Sequence, residues 1–125
     1  MLLKLLLLAL AGSLGTLARY GMTLGIHRIF GPGFPWGTLL VNVLGCGLFG
    51  LVWAATEEAG ARTAEIRLIV LAGFMGAFTT FSTFAFDTGQ YLSRGEWLHA
   101  GANLALSNLV GIAALLAGLW LGNRL

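Results

Sequence analysis

The sequence predicts an all-α integral membrane protein with four transmembrane helices per subunit, the third of them broken. Three observations predict it. Of the 125 residues, 58% are hydrophobic and only 10% are charged, against about 25% charged in soluble domains, so ionic side chains are too few to clothe a globule. Four stretches have the length and apolarity that a helix needs to cross a hydrocarbon core of ~30 Å. In the third, glycines and β-branched threonines gather where they weaken a helix.

The first span runs from about Leu2 to Ile26, with Lys4 at its start and Arg19 inside it. Its opening, "MLLKLLLLALAGS", has the lysine, apolar run and small residues of a secretory signal, but the apolar character continues beyond Arg19 and reads as a span. Arg19 lies about two turns from the span's end. It either snorkels to the interface or faces an aqueous vestibule that draws anions inward. The second span, about Trp36 to Thr56, carries no charge. The third runs from about Leu68 to Phe86, with Asp87 following it, and the fourth from about Trp97 to Gly122, closed by Asn123 and Arg124. The connections "HRIFGPGFP", "EEAGARTAEIR" and "DTGQYLSRGE" are short and polar or rich in breakers. Trp36, Trp53, Trp97 and Trp120 fall near span ends, where indoles anchor at the interface. The whole chain, 1–125, reads as a single four-span domain in a multi-pass protein of the cell (inner) membrane, in contact with lipid.

The formal charge of +2 rests on few residues, and no basic run or aromatic stripe suits nucleic acid. The single cysteine, Cys46, excludes an internal disulfide or a thiolate metal site. His27 and His99 read as isolated interfacial residues. An even number of spans puts both termini on one side, with Lys4, Arg62, Arg67 and Arg124; Arg28 and Arg94 lie on the other. The positive-inside rule leans weakly to cytoplasmic termini, and so small a bias is also what insertion in both orientations produces.

Polar residues inside spans are costly and tend to mark function. In "GTLLVNVLG", Thr38, Asn42 and Gly45 share one helical face; in "NLALSNLVG", Asn103, Ser107 and Gly111 do, with Asn108 beside them. No Asp or Glu is expected inside a span, Asp87 coming closest. Proton-coupled pumps need such a carboxylate, so the pattern points to a passive path, and its N–H, O–H and arginine donors suit an anion. No enzyme is implied. Gly21/Gly25 and Gly118/Gly122 have the spacing of close helix approach and predict an oligomer, most simply a two-fold dimer.

In "AGFMGAFTTFSTFAF", a local unwinding around Gly73, Gly76, Thr79 and Thr80 would free backbone carbonyls. Such backbone survives at membrane depth only when protein or an ion satisfies it, and hard oxygens could hold a cation such as Na⁺. Phe81 and Phe84 follow, three apart on one face. They are either packing residues or ring edges, whose positive rim can pass a small anion without gripping it.

"GSLGTLARYG" (12–21), "GTLLVNVLG" (37–45) and "GFMGAFTTFSTF" (73–84), in that order within four spans, closely resemble the Fluc (CrcB-type) fluoride channel family, along essentially the whole chain. The resemblance implies a passive fluoride-selective channel that relieves fluoride toxicity, built as an antiparallel dual-topology homodimer with two pores lined by both subunits. It implies that Phe81 and Phe84 are the pore phenylalanines, with Asn42 supporting them, and that Thr38, Ser82, Thr83 and Ser107 are hydroxyls of a polar track. Arg19 would be the vestibule arginine. The carbonyls of Gly76 and Thr79 would be ligands of a structural Na⁺ at the dimer interface. Two rival readings remain: a small four-span secondary transporter, of fluoride/proton or multidrug type, and a non-transporting scaffold subunit.

Overall fold

The computed structural model describes residues 1–57, 60 and 63–125; Arg62, counted in the charge balance, lies outside them. The described residues form α1 (Leu2–Phe30), α2 (Trp36–Ala55), a third span running through α3 (Thr63–Ile66), a π-helical stretch (Arg67–Met75), α4 (Gly76–Phe78) and α5 (Phe81–Ser93), and last α6 (Trp97–Gly122). Four helical units, Leu2–Phe30, Trp36–Ala55, Thr63–Ser93 and Trp97–Gly122, are long and apolar enough to cross a membrane. The chain is a four-span, multi-pass membrane protein with a broken third helix.

α1 runs a turn past the expected Ile26. Its stop is Gly31, whose φ of 74° lets its N–H close on the His27 carbonyl at 2.9 Å, with Pro32 and Pro35 beyond. His27 and Arg28 fall in the last turn, where cations suit the helix dipole. Most of the leucines on α1 are exposed and belong to lipid.

The third span was expected over about 68–86 and is longer at both ends. Helix begins at Thr63 within the charged connection, and α5 carries on through "DTGQYLS" to Ser93. Its stop is Gly95, at φ 73°. Asp87 therefore lies within the helical unit Thr63–Ser93, where the sequence placed it just after the helix; Glu65 lies in the first turn of the same unit. A polar composition marked a loop in the sequence, yet here Asp87 and Thr88 find partners on α2 and α6. The fourth span falls on Trp97–Gly122 as expected, and the four tryptophans sit near helix ends.

The tightest seam joins α2 to α6. A side chain at Gly50 would overlap the Leu115 carbonyl, and one at Gly118 would overlap the Gly47 carbonyl, so the two backbones touch. Gly118 and Gly122 are thus used inside the chain, not between copies, which corrects one half of the oligomer argument. Gly21 and Gly25 meet nothing within 4 Å. The small buried core, Val41, Leu71, Met75 and Phe78, lies between α2 and the first half of the broken span. At one end Arg67 ties that half to α2, donating to the Trp53 carbonyl at 2.8 Å and to Thr56 Oγ1 at 3.1 Å. Its guanidinium lies 3.8 Å over the Trp53 ring.

Candidate functional site

The helix breaks at Thr79 and Thr80, which adopt extended conformations (φ −82°, ψ 160° and φ −150°, ψ 110°). Up to that point the chain is helical, and the Thr79 N–H still donates to the Met75 carbonyl at 3.0 Å. The break lies three residues beyond Gly76; β-branched Thr79 and Thr80 adopt the extended backbone that such side chains favour. α5 then restarts with Thr80 as its N-cap, Oγ1 accepting from Thr83 N–H at 3.2 Å, which satisfies a donor left free at a helix start.

Asn42 clamps the break. Its Oδ1 accepts from Thr80 N–H at 2.7 Å, and its Nδ2 donates to the Thr80 carbonyl at 3.0 Å. The whole predicted face of α2 meets the broken span. Thr38 donates to Asp87 Oδ2 at 3.1 Å, and Gly45 leaves the space that the Thr79 methyl fills. Because Thr80 N–H goes to Asn42, the Gly76 carbonyl loses the partner a continuous helix would give it. The Thr79 carbonyl takes a contact of 3.4 Å from Arg19 Nη1. Arg19 is therefore turned towards the break, where it lines a cavity with Thr38, Thr80 and Thr83.

Phe81 and Phe84 are neighbours, with ring centroids 5.6 Å apart and planes at 52°. Their surroundings differ: Phe84 is 8% exposed and Phe81 79%. Ser82 and Thr83 are exposed as well, and both hydroxyls bond Thr80 Oγ1, at 3.3 and 2.9 Å. Three cavities surround the break. One of about 430 Å³ holds Asn42, Gly76, Thr79, Thr80 and Phe81. Another of about 330 Å³ is lined by hydroxyls and Arg19, including Thr38, Thr80 and Thr83. The third, about 370 Å³, opens towards His27, Asp87, Tyr91 and Arg94. The last two share Thr23, Thr38 and Thr83, so hydroxyls run from the break to one mouth of the molecule.

Ser107 is not brought to this group. It lines none of these three cavities and donates to Asn103 Oδ1 on its own helix at 3.5 Å. The sequence reading placed the unwinding around Thr79 and Thr80 but missed that Thr80 caps the helix that follows, although a threonine opening a new helix is an N-cap signal. It missed Asp87 and His27, which share a mouth only once α1 and α5 are folded together. His99 is also not isolated: Nδ1 lies 3.5 Å from Glu96 Oε2, one turn earlier. Among the described residues, no three His, Cys, Asp or Glu side chains gather as a metal site.

The fold and site define a small four-span membrane protein whose third helix breaks among hydroxyl-lined cavities. Residues 6–119 match the family described as CrcB-like protein, Camphor Resistance (CrcB), and this chain belongs to that family. A curated relative from Nitrosococcus oceani, named "Fluoride-specific ion channel FluC", is 52% identical over 92% of each chain. One of the same name from Solidesulfovibrio magneticus is 52% identical over 98% of each. A third, from Geobacter sulfurreducens, is 41% identical over 94% of this chain and 92% of its own.

Proposed function

We propose that this chain is a passive fluoride-selective channel of the microbial inner membrane that lets the anion out of the cell and so relieves fluoride toxicity; it is not an enzyme. The observation that carries the reading is the break at Thr79–Thr80. There hydroxyls, an amide, an arginine and ring edges, all neutral or cationic, surround one interrupted helix. The α5 N-terminus adds a favourable dipole end. The relatives named fluoride-specific ion channels support the same reading.

Fluoride is small and tightly hydrated, so it leaves water only where donors replace its shell along the way. The positive edges of Phe81 and Phe84, with Asn42 and the hydroxyls of Thr38, Ser82 and Thr83, supply weak, replaceable contacts. Arg19 gathers the anion at the vestibule. Chloride is excluded by width. Efflux is driven by the negative-inside potential, about 2.3 kcal/mol per charge per 100 mV, acting on fluoride trapped after hydrogen fluoride enters and ionises.

The conducting unit in this reading is an antiparallel homodimer. In support, Phe81, Gly76, Ser82 and Thr83 are exposed on a single chain whose surroundings are lipid, an arrangement that a second copy would cover. Ser107 joins the polar track if the partner subunit brings α6 to the path. Gly76 and Thr79 would hold a structural Na⁺ through their carbonyls. Carbonyl oxygens suit a hard cation, although the Arg19 guanidinium, 3.4 Å from the Thr79 carbonyl, would have to share that oxygen or turn aside. Two oxygens from one chain call for two more from its partner, and the ion would brace the break.

Asp87, on α5 and bonded to Thr38, is the carboxylate that the rival reading of a proton-coupled transporter would use. Liposomes holding the purified protein and potassium fluoride separate the readings. Rapid fluoride release without a proton gradient, with chloride retained, is the expected result. Release that requires the gradient would favour the transporter, and no release of either ion the scaffold.

A further inference from the structure

We infer that Asn103 and Thr88 are positioning residues: a buried hydrogen-bond relay between α6 and α5 that fixes the height and rotation of α5, and with it the Phe84 ring. The inference rests on the reading of Phe84 as a pore residue. The relay has three steps. Thr88 Oγ1 donates to the Phe84 carbonyl at 2.8 Å, Asn103 Nδ2 donates to Thr88 Oγ1 at 2.9 Å, and Ser107 Oγ approaches Asn103 Oδ1 at 3.5 Å.

Its direction is set at the Phe84 end. A carbonyl can only accept, so the Thr88 hydrogen points there and its lone pair faces α6. Only the NH₂ end of Asn103 can meet that lone pair, which leaves Oδ1 for the Ser107 hydroxyl. Asn103 is 0% exposed and Thr88 6%. Removing the Thr88 hydroxyl leaves Asn103 Nδ2 buried without this partner, which costs more than one hydrogen bond contributes. Removing Asn103 leaves Thr88 its bond to the Phe84 carbonyl but unties α5 from α6.

The location gives the relay its consequence. The break at Thr79–Thr80 cuts α5 off from the rigid backbone of α4, so its register has to come from side contacts. Asn42 holds Thr80 and Thr38 holds Asp87 from the α2 side. On the α6 side, the Asn103–Thr88 pair is the one side-chain hydrogen bond to α5 among the described residues, and its other end lands on the residue whose ring edge lines the path. Tyr91 and His99 stack about one turn from that pair, centroids 5.2 Å apart, and hold the far end.

The test compares Thr88→Val, which keeps the side chain's shape, with Thr88→Ser, which keeps the hydroxyl, and with Asn103→Leu. Each is checked for wild-type elution in detergent. Thr88→Val and Asn103→Leu should each slow fluoride efflux about tenfold, the equivalent of ~1.4 kcal/mol. Thr88→Ser should stay within about twofold of wild type, and the double variant should be no slower than Asn103→Leu alone. A second readout does not depend on conduction: 4-fluorophenylalanine placed at position 84 gives a ¹⁹F signal that should broaden or split in Thr88→Val and stay single in Thr88→Ser. If the wild type passes no fluoride, the channel reading fails while the ¹⁹F comparison still decides the relay. A ring signal indifferent to Thr88→Val, or Thr88→Ser as defective as Thr88→Val, would overturn it.

Discussion

One helix, α2, serves two contrasting seams. On the side of Gly47, Gly50 and Ala54 it meets α6 backbone to backbone, with no space for a side chain at Gly50 or Gly118. On the side of Thr38, Asn42 and Gly45 it meets the broken span through hydrogen bonds, to Asp87 and to both backbone groups of Thr80. The first seam is apolar and close-packed, and tolerates no added volume. The second is polar, flanked by cavities of about 330 and 430 Å³, and depends on donors and acceptors matching. A rigid seam behind an open polar one is what a conducting site requires, because the interrupted backbone is stable only while something holds it.

The contrast can be broken from either side. The largest effect is expected on the α6 side. Gly118→Leu drives a side chain into the Gly47 carbonyl, which is backbone and cannot turn aside, so the penalty should exceed the ~1–3 kcal/mol usual for overpacking. Gel filtration should show aggregated or lost protein; a normal elution profile would mean the seam is looser than described. On the break side, Asn42→Asp should leave elution intact but stop fluoride efflux. The carboxylate has no donor for the Thr80 carbonyl, and its charge repels the anion. Efflux at the wild-type rate would put Asn42 away from the path.

Withdrawing Na⁺, by exchanging the purified protein into a large organic cation, should reduce efflux over hours, with recovery when Na⁺ returns. Rates indifferent to the cation would remove Gly76 and Thr79 from any such site. The smallest effect belongs to Thr38→Val, which loses one bond to Asp87. At ~1 kcal/mol net for a hydrogen bond, efflux should slow several-fold at most. A complete block would mean that this hydroxyl is a principal contact of the ion.

The polar face of α2 was legible in the sequence because helical spacing alone puts Thr38, Asn42 and Gly45 together, and all three meet the broken span. The weak point in "GAFTTFSTF" was legible because threonines prefer extended backbone. The ends of the third span were not. Asp87 and Thr88 read as loop residues one at a time, and only the folded chain shows Thr38 and Asn103 beside them. Gly118 and Gly122 were correctly read as packing residues, but spacing does not say which helix they pack on. The Asn103–Thr88 bond joins positions fifteen residues apart across a turn, a separation that no periodicity within one helix reveals.

The central claim is that the anion passes the rings at the break. Its most direct test is initial fluoride efflux from liposomes carrying Phe81→Ile and Phe84→Ile chains that elute as the wild type does. A fall of more than about tenfold, ~1.4 kcal/mol or more in the barrier, is predicted for each. Rates near those of the unaltered protein would contradict the claim and move the path elsewhere.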